Sequence, residues 1–374
     1  MCERAGSMDR DAGSRPGLPW CSRRRKRSRL APRSIFKGGE GMKGKKMNPH
    51  ALVGAALAAA FFLATPASAI EATAPPVDAA QYQQWFEEIS NWGRWGDDDE
   101  MGTLNLITPE KRLAAARLVQ DGVAVSMALD LNTVPDELNQ NPFFHERETS
   151  VFGNHQVAGD EYRVSYHGFA HSHVDGLPHF AHGGFFYNGL PFEGLVDGVD
   201  TLGIHNAKDG IVTRGVLVDM AWFMGVDFLE PGAAIMPEDF EAWEERTGIE
   251  IGSGDVLLVR TGRWERVRQK GQWNFLEAAA GSHASLAKWL RERDVAVIGC
   301  DGVSDVMPGN VEGLVNPLHQ LVLAGLGMLI LDNLDLDVVA EEARKRDRWE
   351  FLFVGAPLRV RGGTGSPLNP LAVF

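Results

Sequence analysis

Beyond residue 80, short apolar runs are interspersed with amphipathic stretches, and this pattern predicts both strands and helices. Thr108, Pro109 and Glu110 form a typical helix start, with Thr as the cap and Pro in the first turn, and this helix is predicted to end at Gly122. Strands and helices follow neither a strict alternation nor a repeat, so the pattern predicts one mixed α/β domain. Other helices are predicted at 81–90, 237–247, 283–293, 317–326 and 337–346, and strands at 123–131, 161–168, 170–176, 211–219, 255–261, 295–300 and 350–361.

The first 69 residues read as a leader rather than as part of the fold. A basic stretch at 42–46 precedes an apolar stretch at 51–64, which is too short for a membrane span, and small residues before position 70 predict cleavage after Ala69. An uncleaved anchor is the alternative, and a twin-arginine signal at 23–24 is a weaker one. We expect a non-native extension at 1–41, a signal peptide at 42–69, a linker at 70–84, the domain at 85–374, and a periplasmic or secreted product.

The charge of the chain changes when this leader is removed. Residues 1–69 hold 14 Lys and Arg against 4 Asp and Glu, so the formal net charge falls from −13 to −23. Such an acidic protein is a poor candidate for nucleic acid or anionic membrane surfaces. Cys300 is the one cysteine left, so an internal disulfide is excluded, and its apolar surroundings predict a buried, unreactive thiol rather than a nucleophile.

Candidate chemistry is concentrated in residues 166–179, which hold four of the 11 histidines and an aspartate. Read as an extended strand, this segment places His167, His171, His173 and Asp175 on one face, at about 7 Å spacing between alternate residues. Imidazole and carboxylate groups together suit Zn²⁺, Mn²⁺ or Fe²⁺. The segment therefore predicts a metal site, with a polar edge strand as the alternative.

His179 stands four residues after Asp175 and follows Pro178, where the strand should already have turned. A bound divalent ion lowers the pKa of its water from about 15.7 towards 7. An imidazole with an ordinary pKa near 6.5 can then take a proton from that water and pass it to a leaving nitrogen. We expect His179 to act as this general acid and base, and a further metal ligand or a partner of one is the alternative.

The segment His173 to His179 resembles the His-x-Asp-x-x-x-His signature of the cyclase family, which includes bacterial kynurenine formamidases and isatin hydrolases. Supporting segments at 91–96, 187–189, 213–217 and 254–262, and His319 followed by 332–334, stand in the expected order. The resemblance covers roughly residues 85–370. It implies a compact swivelling β/β/α-type domain with a mixed sheet, one or two metal ions, a homodimer or tetramer, and hydrolysis of an amide or formamide, often a cyclic one.

The resemblance also implies roles for individual residues. His173 and Asp175 match metal ligands, and Asp175 can bridge two ions. His179 matches the general acid and base, and His319 matches a ligand near the start of a helix. Asp332 falls where the family usually has Glu.

Two positions depart from the family pattern. The first histidine of the family would stand at Phe169, and either His171 or His167 takes its place on the same face. The side chain of Asp332 is shorter than that of Glu and reaches one ion or none, so a single occupied site is an alternative to two.

These residues together predict an exported Zn- or Mn-dependent hydrolase of a non-peptide C–N bond in a small molecule. Trp95, Phe143, Tyr187 and Asn188 are candidate substrate-pocket residues, because aromatic rings suit a planar aryl amide, although each alone is as consistent with a core position. A metal-dependent lyase or dehydratase acting on a hydroxylated ring is one alternative. A non-catalytic periplasmic binding protein with a structural metal is the other.

Overall fold

The computed structural model describes residues 75–374 except positions 197 and 199. The predicted extension at 1–41, the signal peptide at 42–69 and the first residues of the linker lie outside the described residues. In the described part of the chain, every helix is too short or too polar to cross a membrane.

The strands confirm the sequence prediction best where an apolar run is buried. Strands were predicted at 211–219, 255–261 and 295–300, and each is found within two residues of those bounds, because runs buried on both faces are apolar without alternation. The strands are β1 (Ala124–Ser126), β2 (Phe144–Phe152), β3 (His155–Arg163), β4 (His173–Asp175), β5 (Ile211–Asp219), β6 (Ala234–Ile235), β7 (Val256–Arg260), β8 (Gly281–Ser282), β9 (Val297–Cys300), β10 (Leu329–Asp332), β11 (Glu350–Gly355), β12 (Gly365–Pro367) and β13 (Leu371–Val373).

Among the described residues, nine of these strands form one mixed sheet in the order β1-β13-β11-β5-β7-β9-β10-β4-β12. The central strands β5, β7, β9 and β10 are parallel. The strands on both sides of them pair antiparallel. The predicted mixed α/β fold is therefore confirmed, and the described residues belong to one compact unit.

Most of the helices bury apolar residues, such as Phe240 and Trp243 in the helix over 237–247. The helices predicted at 237–247 and 337–346 are confirmed at those bounds, and the one predicted at 317–326 begins as an α-helix and continues as a π-helix over Gln320–Leu326. The helices are α1 (Ala79–Ile89), α2 (Pro109–Ala116), α3 (Phe192–Val196), α4 (Met220–Met224), α5 (Pro237–Thr247), α6 (Arg263–Lys270), α7 (Leu286–Glu292), α8 (Pro317–His319) and α9 (Asp337–Arg346).

Helix α2 begins as predicted, with the Thr108 hydroxyl accepting a hydrogen bond from the Lys111 amide, but it ends at Ala116 and not at Gly122. The amides of Asp121 and Gly122 donate to the carbonyl of the last residue, Phe374, at 3.1 and 2.8 Å. These amides therefore bond to the residue that follows β13 instead of continuing the helix.

The prediction also missed most of a hairpin. Strands β2 and β3 pair over their whole length, and nearly all their residues are exposed. Because neither face of the hairpin is buried, its sequence lacks the apolar alternation that predicts a strand.

A buried aspartate fixes the start of α6 beside the central strands. Asp301, just after β9, accepts hydrogen bonds from the Thr261 amide at 3.0 Å, the Thr261 hydroxyl at 2.8 Å and the Gly262 amide at 2.8 Å. It also accepts one from the Arg263 amide at 3.1 Å. This carboxylate thus satisfies the free amides at the helix N-terminus and positions Arg263.

We expect Asp301→Ala to lower the free energy of unfolding by about 3 kcal/mol, because it leaves several buried donors without acceptors. Urea unfolding followed by circular dichroism measures this. Asp98→Ala, at an exposed loop position, is the matched control and should change stability little. Equal stability of the two variants would contradict the assigned role of Asp301.

Candidate metal centre

Strand β4 places two ligand-type side chains on one face of the sheet. His173 and Asp175 are two residues apart, and His173 lies directly opposite Asp332 in the antiparallel pairing with β10. His173, Asp175 and Asp332 are all buried, and their ligand atoms lie within 4.8 Å of one another. We refer to these three residues as the inner group.

His319, in α8, joins the inner group from a different element. Its Nε2 lies 3.2 Å from Asp332 Oδ2 and 3.5 Å from Asp175 Oδ2. Asp305 fixes this orientation, since its carboxylate accepts from the Leu318 amide at 2.6 Å and lies 2.5 Å from His319 Nδ1. This contact assigns the proton to Nδ1 and leaves the Nε2 lone pair for a metal ion, as in many metal sites.

A tight turn brings His179 back to Asp175. The His179 amide donates to the Gly176 carbonyl at 3.0 Å, so the chain reverses after the strand, as the position of Pro178 predicted. His179 Nε2 lies 3.8 Å from Asp175 Oδ1, and His167 Nδ1 lies 2.8 Å from the same oxygen. We refer to His167, Asp175 and His179 as the outer group, because both histidines are partly exposed.

The path of the chain before β4 differs from the prediction. Strands were predicted over 161–168 and 170–176, and an extended segment would place His167, His171, His173 and Asp175 on one face, but the strand begins at His173, and the preceding residues bend. His167 reaches Asp175 through this bend, which includes Gly168 at a φ of +125°. His171, predicted as a metal ligand, lies in neither group. The shared strand face accounts only for His173 and Asp175.

The chemistry of the donor set fits a cation between these residues. Asp175 Oδ1 is buried and makes no hydrogen bond of normal geometry to the described residues, although three imidazole nitrogens approach it. His173 Nδ1 donates to the His171 carbonyl at 2.8 Å, so Nε2 is the nitrogen that faces Asp175 Oδ1, at 3.2 Å. A proton on Nε2 offsets the carboxylate charge there, and a divalent cation between the two atoms can take its place.

The charges of the inner group support the same conclusion. Burial alone would raise the pKa of Asp175, but His173 and His167 outweigh it and hold the pKa well below its usual range. Burial alone would lower the pKa of His319, but Asp332 and the other carboxylates raise it well above its usual range. Without a metal, a protonated imidazole therefore compensates the buried carboxylates, and a divalent cation can replace that proton.

His179 differs from the inner histidines. Burial is the largest influence on it and lowers its pKa to about 4, against the opposing effect of Asp175. Its ring stacks on that of His167 at 3.7 Å between centroids, and its ring nitrogens make no hydrogen bond to the part of the chain that the structure describes. A neutral, uncommitted imidazole at the outer edge of the site can accept a proton.

Asn333 and Arg263 hold the loop before β4, and the sequence analysis gave neither a role. The Asn333 amide donates to the Gly168 carbonyl at 2.6 Å and accepts from Arg263 at 2.5 Å. Arg263 also donates to the Phe169 carbonyl at 2.8 Å. We call this pair the loop clamp. Asn333 directly follows the buried strand β10, and a polar residue at that place is the signal that points to it.

Asp332 is short but is held in place. Its Oδ1 accepts hydrogen bonds from the Ser304 amide and hydroxyl, both at 3.4 Å, while Oδ2 faces His319. Cys300 is buried 3.9 Å from Oδ1, and burial raises the pKa of its thiol well above the usual range. The prediction of a buried cysteine is confirmed.

A cavity of about 180 Å³ adjoins the outer group. His167, Phe169 and His171 form one side of it, and Leu276 and the loop 137–141 form the other. This cavity is large enough for one aromatic ring and lies against a residue of the candidate centre.

The four predicted substrate-pocket residues lie elsewhere. Tyr187 is buried and, with Asn188, hydrogen bonds to the loop 96–99. Trp95 packs against a neighbouring arginine, and Phe143 packs at the base of the β2–β3 hairpin. None of the four belongs to either group or lines the cavity beside His167. Their role in substrate binding stays a prediction.

Asp305→Ala is expected to weaken Zn²⁺ or Mn²⁺ binding about 10- to 100-fold, because His319 loses the acceptor that orients it. Competition with a chelator of known affinity measures the dissociation constant. Asp227→Ala, at an exposed site outside both groups, is the control. Unchanged affinity in Asp305→Ala would show that His319 does not bind the ion.

Comparison with known proteins identifies the family. A family model described as a putative cyclase matches residues 130–305, and no curated protein matches the sequence. An isatin hydrolase A from Ralstonia solanacearum is 22% identical, covers 71% of this chain and 97% of its own, and superposes with a TM-score of 0.46. A predicted metal-dependent hydrolase from Bacillus stearothermophilus is 18% identical, with coverages of 67% and 97% and a TM-score of 0.41.

A crystal structure described as a novel cyclase is 30% identical, covers 77% of this chain and 99% of its own, and has a TM-score of 0.70. The chain therefore belongs to the cyclase family.

Proposed function

We propose that the protein is a divalent-metal-dependent hydrolase of a C–N bond outside peptides, in an aryl formamide or a cyclic aryl amide. The observation that carries the proposal is the buried Asp175 Oδ1, which lacks a normal hydrogen bond and faces three imidazoles. Membership of the cyclase family and the aromatic-sized cavity beside His167 support it.

The residues present divide into those that hold an ion and one that moves protons. His173, Asp175, Asp332 and His319 would hold Zn²⁺ or Mn²⁺ in the inner group, and Asp175 would be shared with any second ion beside His167. A divalent ion in such a site activates water and polarises a carbonyl.

His179 supplies the proton transfer that amide cleavage needs. Nitrogen leaves an amide as a neutral amine only if it receives a proton. The His179 ring is neutral at pH 7, since burial lowers its pKa to about 4, and its Nε2 lies 3.8 Å from Asp175 Oδ1 at the outer edge of the centre. It can take the proton of the attacking water and give it to the leaving nitrogen.

Removing the metal with a chelator is expected to abolish hydrolysis of formanilide, the simplest aryl formamide, while circular dichroism stays unchanged. Adding Zn²⁺ or Mn²⁺ should restore turnover. Product mass separates the reaction types, because hydrolysis adds one water and a lyase releases a group. Metal-loaded protein without turnover on any amide would instead favour the binding-protein alternative.

His179→Ala is expected to keep the metal content of the wild type and to lower kcat at least 100-fold, in the range typical of a lost general acid and base. Asp175→Ala should lose the metal. Elemental analysis by mass spectrometry and steady-state kinetics measure both, with His155→Ala, on the exposed hairpin, as the control. Loss of metal from His179→Ala would make His179 a ligand and remove its assigned role.

A further inference from the structure

Thr364 contacts the outer group from the edge of the sheet beside β4. Its hydroxyl lies 3.0 Å from His167 Nε2, and its carbonyl accepts a hydrogen bond from the Gly176 amide at 2.7 Å. Gly176 directly follows Asp175 in the chain. Gly365, the residue after Thr364, begins β12 and lies opposite Asp175. The backbone of Thr364 is therefore fixed relative to Asp175, and its hydroxyl is held against His167.

The ring of His167 makes one hydrogen bond to the described residues, and its partner is Thr364. Nδ1 lies 2.8 Å from Asp175 Oδ1, but both atoms are buried and without a partner of hydrogen-bond geometry. A neutral imidazole carries one N–H. On Nδ1 this proton would be a buried, unsatisfied donor, whereas on Nε2 it has the Thr364 oxygen as its acceptor. The contacts therefore favour the tautomer in which Nδ1 carries a lone pair beside Asp175.

Gly365 leaves the room that this arrangement needs. A Cβ at this position would lie 2.4 Å from the Val174 carbonyl oxygen and 3.0 Å from His167 Cε1. Both distances are shorter than the roughly 3.5–4.0 Å of a normal contact between carbon atoms, so a side chain would move β12 or the imidazole. The same ring stacks on His179 at 3.7 Å between centroids. His167 is thus held by a hydrogen bond at Nε2, by packing at Cε1 and by stacking.

We propose that Thr364 is a positioning residue for the metal centre. Its hydroxyl fixes the tautomer and the direction of His167, so that Nδ1 and the Asp175 carboxylate face the same ion. Thr364 touches neither the ion nor the substrate and acts through His167 alone. The inference rests on the metal site of the proposed function and not on the reaction. An orienting hydrogen bond on the second nitrogen of a ligating imidazole typically contributes about 10- to 100-fold to metal affinity.

Titration of the metal-free full chain with Zn²⁺, in competition with a chelator of known affinity, tests this role. The binding step to follow is the one that His167→Ala weakens. Thr364→Val keeps the shape of the side chain without the hydroxyl, and it should weaken that step about tenfold or more. Thr364→Ser keeps the hydroxyl and should stay within about threefold of the wild type. Combined with His167→Ala, Thr364→Val should add less than about twofold, because the ring through which it acts is gone.

Thr213→Val controls for the loss of a buried threonine hydroxyl. The Thr213 hydroxyl donates to the Gly254 carbonyl at 2.6 Å, and Thr213 belongs to neither group. This variant should unfold at a lower urea concentration and keep its zinc affinity within about twofold of the wild type. The proposal is wrong if Thr364→Val binds Zn²⁺ like the wild type, or if it weakens binding equally with and without His167. It is also wrong if His167→Ala weakens no step, or if Thr213→Val weakens binding as much as Thr364→Val.

A measurement on the wild type decides the proposal if Thr364→Val does not fold. Nitrogen-15 NMR of the imidazoles in the Zn²⁺-loaded chain reports which ring nitrogen carries the proton, and loss of signals in His167→Ala assigns those of His167. We expect the proton on Nε2 and none on Nδ1. A proton on Nδ1 would overturn the proposal, because Nδ1 could then not face the ion with a lone pair.

The proposed function is judged separately, since the titration requires no turnover. A wild type that shows this pattern of zinc affinities but hydrolyses no aryl amide keeps the role of Thr364 and contradicts the proposed reaction. A wild type that hydrolyses formanilide with Zn²⁺, while Thr364→Val binds the ion unchanged, keeps the reaction and contradicts the role of Thr364. A wild type that binds no Zn²⁺ overturns both.

Discussion

The buried carboxylate of Asp175 is the group on which the rest of the site depends. It is 1% exposed, and a charge at such a position is stable only with compensating partners. His173 and His167 face one oxygen, and His319 faces the other at 3.5 Å. Because Asp175 belongs to both the inner and the outer group, its position sets the geometry of both.

That position follows from one strand pairing. The parallel strands end on the same edge of the sheet. Strand β4 lies beside β10 and runs antiparallel to it, so the first residue of β4 meets the last residue of β10. His173 thus lies opposite Asp332, and Asp175 lies opposite Ile330 on the same face. A slip of one residue would turn both β4 side chains to the other face. The metal centre therefore depends on the register of a three-residue strand.

The sequence predicted the parts of the site that depend on local geometry. Strand periodicity placed His173 and Asp175 on one face, and Pro178 predicted the turn that returns His179. The contribution of Asp305 could not be predicted in this way, because Asp305 is 14 residues before His319 and reaches it through packing of a loop against α8. Likewise, periodicity assigned His171 to the metal, but the bend before β4 brings His167 to Asp175 instead.

The same bend accounts for the departure from the family pattern at Phe169. A residue four positions before His173 would lie on the ligand face only if the strand extended that far. Here the loop clamp binds the Phe169 carbonyl, and the Phe169 ring packs against Phe275 at 5.6 Å between centroids. Residue 169 therefore packs in the interior, and the imidazole that faces Asp175 belongs to His167, two residues earlier. The residue spacing of the family motif therefore does not identify this histidine. The contacts of Arg263 and Asn333 shape the loop, and the shape of the loop determines which histidine reaches the centre.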